Sequence, residues 1–128
     1  MHSTDADRIW NRAALEGGGT DPKAGDLAPA AMLLAHGLIM NGGVHHAVEC
    51  LTPEETANAI EGFRYFGLSA IGDILLAISD GHLSPCTDAT EYLANTGYHQ
   101  HVPDDNELAR RFKAMLYDHP DQFARVAA

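Results

Sequence analysis

The sequence predicts an all-α fold, a single domain of six to eight helices over residues 1–128. Three observations predict it. Apolar residues recur at helical spacing in almost every segment. No alternating period-two run of four or more residues occurs, so no strand is expected. Breaks at Gly17-Gly18-Gly19, Asn41-Gly42-Gly43, Gly67 and Gly81 cut the chain into pieces of helix length. At 128 residues and 45% hydrophobic content, the chain suits one core.

Ser3 or Thr4 can cap the first helix, with Asp5 and Asp7 near the positive end of its dipole. Ile9, Trp10, Ala13 and Ala14 give it an apolar face, and Arg8 and Arg12 lie on another. The three glycines that follow have no preceding strand and no Lys-Ser/Thr after them. They predict a flexible connector, not a phosphate loop. Asp26 is expected to cap the next helix, with Pro29 still in the first turn. Ala30 to Met40 is apolar on nearly every side, which predicts a buried helix ended by Asn41-Gly42-Gly43. His36 inside it is expected to be a core histidine with a backbone partner. Val44 to Leu51 makes a short helix.

Thr52-Pro53-Glu54-Glu55 opens the clearest helix. A Thr N-cap stands three residues before a Glu, and Pro occupies the first helical position. Ala59, Ile60, Phe63 and Phe66 form its core face, and Gly67 stops it. Glu54, Asn58, Glu61 and Tyr65 form its outer face, with Arg64 three residues after Glu61. Ser69 is expected to cap a second buried helix, Ala70 to Ile78, ending near Gly81. Ser69, Asp73 and Asp80 make a narrow polar stripe on it, which favours a solvated Asp73. Leu76 falls inside that stripe. Either another segment of the chain covers it or a second copy does.

A loop from His82 should lead to a helix opened by Ser84-Pro85 or by Thr87. That helix is expected to run through about Leu93 and end at Asn95-Thr96-Gly97, with an irregular segment from Tyr98 to Pro103. Asp104 and Glu107 suggest another capping box, and Leu108, Phe112, Met115 and Leu116 a core stripe. Glu107 and Arg111 pair at i,i+4, while Arg110 and Lys113 point outward. His119-Pro120 ends this helix and Phe123 anchors a final turn.

The net charge of −10 is uneven. From Ala24 to Ala109 stand twelve acids and one base, Arg64, a net of −11. Such a field repels nucleic acid and membrane surfaces and attracts basic partners. The short basic stripe of the last helix is a poor nucleic-acid footprint. No apolar run reaches the roughly 18 residues of a membrane span. The first residues lack the basic and apolar regions of a signal peptide, so a cytoplasmic location is expected. Cys50 and Cys86 are then free thiols.

His46 and Cys50 share a helix face at four-residue spacing, and His82 and Cys86 repeat the gap across a Ser84-Pro85 break. These four could build a Cys₂His₂ tetrahedron, with His99 or His101 in reserve. Ordinary packing is the favoured reading, and no cofactor is expected. Cys50 as a nucleophile with His46 as its base would need a positive group nearby, and the sequence offers none.

The run Gly37-Leu38-Ile39-Met40-Asn41-Gly42-Gly43-Val44, then Ala59-Ile60, Leu68 and Ile71, then Asp118 to Phe123, resembles the C-terminal-domain family of a bacterial DNA-mimic protein. The chain departs from the family pattern at Val44, where an aromatic residue usually follows Asn-Gly-Gly. The resemblance implies an all-helical, often dimeric, acidic protein whose carboxylates imitate DNA phosphates. With the acidic body, it leads to the expectation of a non-enzymatic interaction domain for a basic or DNA-binding protein. Its contacts would come from Glu54, Glu55, Glu61, Asp80, Asp88, Glu91, Asp104 and Asp105, and Leu76 is the candidate dimer contact. The alternative is a metal-binding protein or sensor.

Overall fold

A computed structural model describes residues 3–83 and 86–126, giving only the backbone of Ser3 and Thr4. Among the described residues are seven α-helices and no strand: α1 Ser3–Glu16, α2 Ala24–Gly42, α3 Val44–Cys50, α4 Pro53–Tyr65, α5 Ser69–Ser79, α6 Asp88–His101 and α7 Asp105–Asp118. A 3-10 turn, Pro120–Gln122, follows α7. They pack as one domain. No helix among them is long and apolar enough to cross a membrane.

The helix α2 is the hub. It packs against α1, α3, α4 and α7, and α4 in turn packs against α5. Met32, Ala35 and Ile39 of α2 meet Ala59 and Phe63 of α4 and Ile71 and Leu75 of α5 in the core. Phe112 closes it from α7, with ring contacts to Trp10 at 4.9 Å, Phe123 at 5.8 Å and Phe66 at 6.4 Å. In α1 the buried residues are Ala6, Ile9 and Ala13, and Trp10 is half-buried. Ala14, expected on the apolar face, is exposed.

The Thr52 capping box forms in full. Glu55 donates its N–H to Thr52 Oγ1 at 3.1 Å, and Thr52 donates its own N–H to Glu55 Oε1 at 2.9 Å. The same helix ends at Phe66 in a Schellman motif. Gly67 N–H donates to Arg64 O and Leu68 N–H to Phe63 O, both at 2.9 Å, with Gly67 at φ +78°.

Several expected boundaries differ. Asp26 does not cap α2. The helix starts at Ala24, so Asp26 lies within its first turn, and Pro29 lies inside the helix beyond that turn. Ser69 is the first residue of α5, whose N-cap is Leu68 without a side-chain bond. At α7, Asp104 accepts Glu107 N–H at 3.3 Å, but Glu107 turns to Arg110 and Arg111, so only half of the box forms. Thr87 caps α6, while Ser84-Pro85 lies outside the described residues.

The largest difference is at Asn95-Thr96-Gly97, where α6 does not stop but continues to His101. Tertiary contacts use these residues. Asn95 Oδ1 accepts the Val44 N–H at 2.9 Å, satisfying the start of α3 from outside. Gly97 lets α5 come close, because an added Cβ would sit 2.9 Å from Ile74 Cδ1.

Candidate interaction surface

The acidic residues take their positions from the helix starts. Glu54 and Glu55 lie in the first turn of α4 and Asp88 and Glu91 in that of α6. Asp104 caps α7 and Asp105 follows it. A carboxylate there meets unpaired N–H groups and the positive end of the dipole. Glu61 and Asp80 complete the set on α4 and at the end of α5. All remain on the surface, with Glu55 only partly exposed.

Most of them also have partners within the chain. Glu61 pairs with Arg64 at 3.3 Å, and Asp80 with His82 at 2.8 Å. Glu91 accepts from the Cys86 thiol at 3.3 Å. Asp105 faces His36 Nε2 at 2.7 Å. Arg64 is shared, since its other guanidinium nitrogen is 3.5 Å from Asp73. The single base of the acidic stretch is therefore held between two carboxylates. Asp73 is exposed, as the polar stripe implied.

One concavity was not legible as a site. A groove of about 750 Å³ runs between α2 and α4. Ala24, Ala28 and Ala31 line it from α2, and Asn58 and Gly62 from α4. Leu27 and Leu34, 52% and 47% exposed, flank the small residues. Glu55, Glu61 and Arg64 stand on the α4 wall. Ala30 to Met40, expected as a buried helix, is buried on one face only, with Leu34 facing the groove. Met40 is also exposed. Helix α2 packs on one face and leaves another open. The sequence signal was the spacing of Ala24, Ala28 and Ala31, which an apolar-all-round reading absorbs into the core.

The two helices come into close contact at Gly62, which lines the groove. An added Cβ at Gly62 would lie 2.6 Å from the backbone oxygen of Ala28. Glycine here lets α4 approach α2 directly and fixes the splay of the helices above the contact.

The histidines and cysteines do not converge. Cys50 Sγ lies 3.6 Å from His46 Nε2, but His82 turns to Asp80 and Cys86 to Glu91. Among the described residues no three His, Cys, Asp or Glu side chains come together around a metal position. The Cys₂His₂ tetrahedron of His46, Cys50, His82 and Cys86 is therefore not assembled. His99 and His101 lie on α6 and are exposed. Partial desolvation, with the hydrogen bond to Glu91 and the nearby Glu91, Glu49 and Asp88 charges, raises the Cys86 thiol above its ordinary value. That disfavours the thiolate.

Two further features stand apart from this surface. His36 is 7% exposed and has side-chain partners, not a backbone one: Tyr98 Oη lies 2.6 Å from Nδ1, and Asp105 from Nε2. Burial, with the Asp105 charge second, raises the Tyr98 phenol, so its hydroxyl keeps its proton. With Tyr98 as donor to Nδ1, the Nε2–H is left to donate to Asp105, an arrangement that satisfies both ring nitrogens. The cluster ties α2, α6 and α7 together. Leu76 is 43% exposed, so no other segment among the described residues fully covers it.

The chain matches no known family model, no curated protein and no solved structure.

Proposed function

We propose that this chain is an acidic, non-enzymatic interaction domain that binds a basic or DNA-binding protein. One observation carries the reading. Between Ala24 and Ala109 the chain has twelve acids and one base, and that base is neutralised in place by Glu61 and Asp73. No other lysine or arginine in that stretch offsets the field. Glu54, Glu61, Asp80, Asp88, Glu91, Asp104 and Asp105 are exposed, and a basic partner would compete for those that also hold contacts within the chain. The resemblance to the DNA-mimic C-terminal-domain family supports the same class of partner and makes displacement of DNA the expected consequence of binding.

The test is a salt-graded pull-down from source lysate. A basic protein should be retained at about 0.05 M salt and released by about 0.5 M, because screening shortens the reach of exposed charges. The purified partner should then lose its DNA in a gel shift as this chain is added. Recovery of no basic protein at low salt overturns the reading. Recovery without displacement of DNA leaves an acidic interaction domain that is not a mimic.

A further inference from the structure

Resting on that reading, we propose that the α2–α4 groove is the seat of the partner, and that its occupant is the apolar face of a cationic amphipathic helix. The shape argues for a helix. The groove's small residues, Ala24, Ala28 and Ala31, recur at i, i+4 and i+7 on one helix, a span of about 10 Å at 1.5 Å per residue. That span matches two turns of anchors on a helix laid into a groove. Leu27 and Leu34, also seven apart and about half exposed, supply apolar edges over two turns offset by three residues.

A small polar ligand fits less well. Such sites hold several convergent polar groups at their base. Here the α2 side is alanine and leucine, and the charged groups stand together on the α4 wall.

Charge decides the sign of the occupant. Glu55 and Glu61 stand on the α4 wall, Arg64 there is paired with Glu61 and Asp73, and the local balance is negative. Lysine or arginine on the flanks of an incoming helix would meet these carboxylates. A second copy of the chain offers less: besides Leu15 on α1 and Tyr117 on α7, its base-bearing helices expose no other large apolar side chain among the described residues. Its base-bearing helices α1 and α7 turn Ile9 and Ala13, and Leu108, Phe112 and Leu116, into its own core. Groove-to-groove pairing would set two acidic walls together at −10 per chain.

The probe is a fluorescein-labelled peptide of five turns, with leucines on one helical face and lysines elsewhere. A peptide of the same composition with the leucines dispersed around the helix is the control. Anisotropy at low salt should show the patterned peptide binding at least about tenfold more tightly than the control. Filling the groove with Ala31→Phe should abolish that preference. The double substitution Leu27→Ser and Leu34→Ser, both at exposed positions, should do the same and covers the case in which Ala31→Phe fails to fold. Glu61→Gln should weaken both peptides and flatten their salt dependence.

Equal binding of the two peptides, both released by salt, overturns the groove and leaves the acidic reading intact. A preference for the patterned peptide that survives both variants also overturns the groove. Binding of neither peptide, with a basic protein still recovered from lysate, does the same. Failure of the peptides and of the pull-down together overturns both readings.

Discussion

Asp26 is a buried acid at the start of α2. It is 1% exposed and its carboxylate accepts from Arg12 at 2.7 Å, from Ala124 N–H at 2.7 Å and from Lys23 N–H at 3.0 Å. Arg12 also donates to the carbonyls of Ala124 and Arg125 at 3.0 and 3.1 Å. One ion pair thus joins α1, the start of α2 and the segment after the 3-10 turn, and holds Phe123 beside Gly25. Removing one partner of a buried pair leaves an uncompensated charge. Asp26→Asn is expected to cost about 3–5 kcal/mol, read as a lower urea midpoint. Asp73→Asn, at an exposed pair, should stay within about 0.5 kcal/mol. Equal midpoints for the two variants would remove Asp26 from its structural role. Its identity as an acid near a helix start was plain in the sequence. Its partners, Arg12 and a backbone amide 98 positions away, were not, because nothing local marks a contact at that separation.

Two glycines at the level of the helices have opposite uses. Gly37 lies on the exposed side of α2 with nothing within 4 Å of an added Cβ. Gly37→Ala should stabilise the protein by about 0.5–1 kcal/mol through helix propensity alone. Gly62 of α4 faces α2, where a Cβ would press on a backbone oxygen that cannot rotate away. Gly62→Ala gains the same propensity and is expected to lose about 1–3 kcal/mol to the forced separation of the two helices. Urea unfolding of the pair separates the effects, and a stabilised Gly62→Ala would mean that the crossing tolerates displacement. At this scale the sequence is readable where its signals are local. Thr52-x-x-Glu55, Pro53 and Gly67 define α4 almost to the residue. The breaker-rich Asn95-Thr96-Gly97 misleads because the preferences of Asn95 and Gly97 are overridden by contacts with other helices.

Across the whole molecule, charge is what the fold leaves unbalanced. A net of −10 on 128 residues repels itself in the folded state, where the acids are closer than in the unfolded chain. Raising salt from about 0.01 M to about 0.2 M should therefore raise the melting temperature by about 2–5 °C, measured by calorimetry. A fall would show that the local pairs, Glu61 with Arg64 and Glu107 with Arg110 and Arg111, outweigh the general repulsion. The same salt should weaken partner binding. Opposite slopes of stability and affinity with salt would be the signature of an acidic surface kept for recognition rather than for folding.

By itself the sequence determined the fold class, a range of six to eight helices, the Thr52 capping box and the sign of the field, since these follow from periodicity, backbone stereochemistry and composition along the chain. Tertiary structure alone decided that His36 bonds to Tyr98 and Asp105, that Arg64 is shared by two acids, that His82 turns to Asp80 and Cys86 to Glu91 and that α2 keeps an open groove. Each of these depends on which helix faces meet. A helix's period tells which residues share a face, and only the packing tells what that face touches.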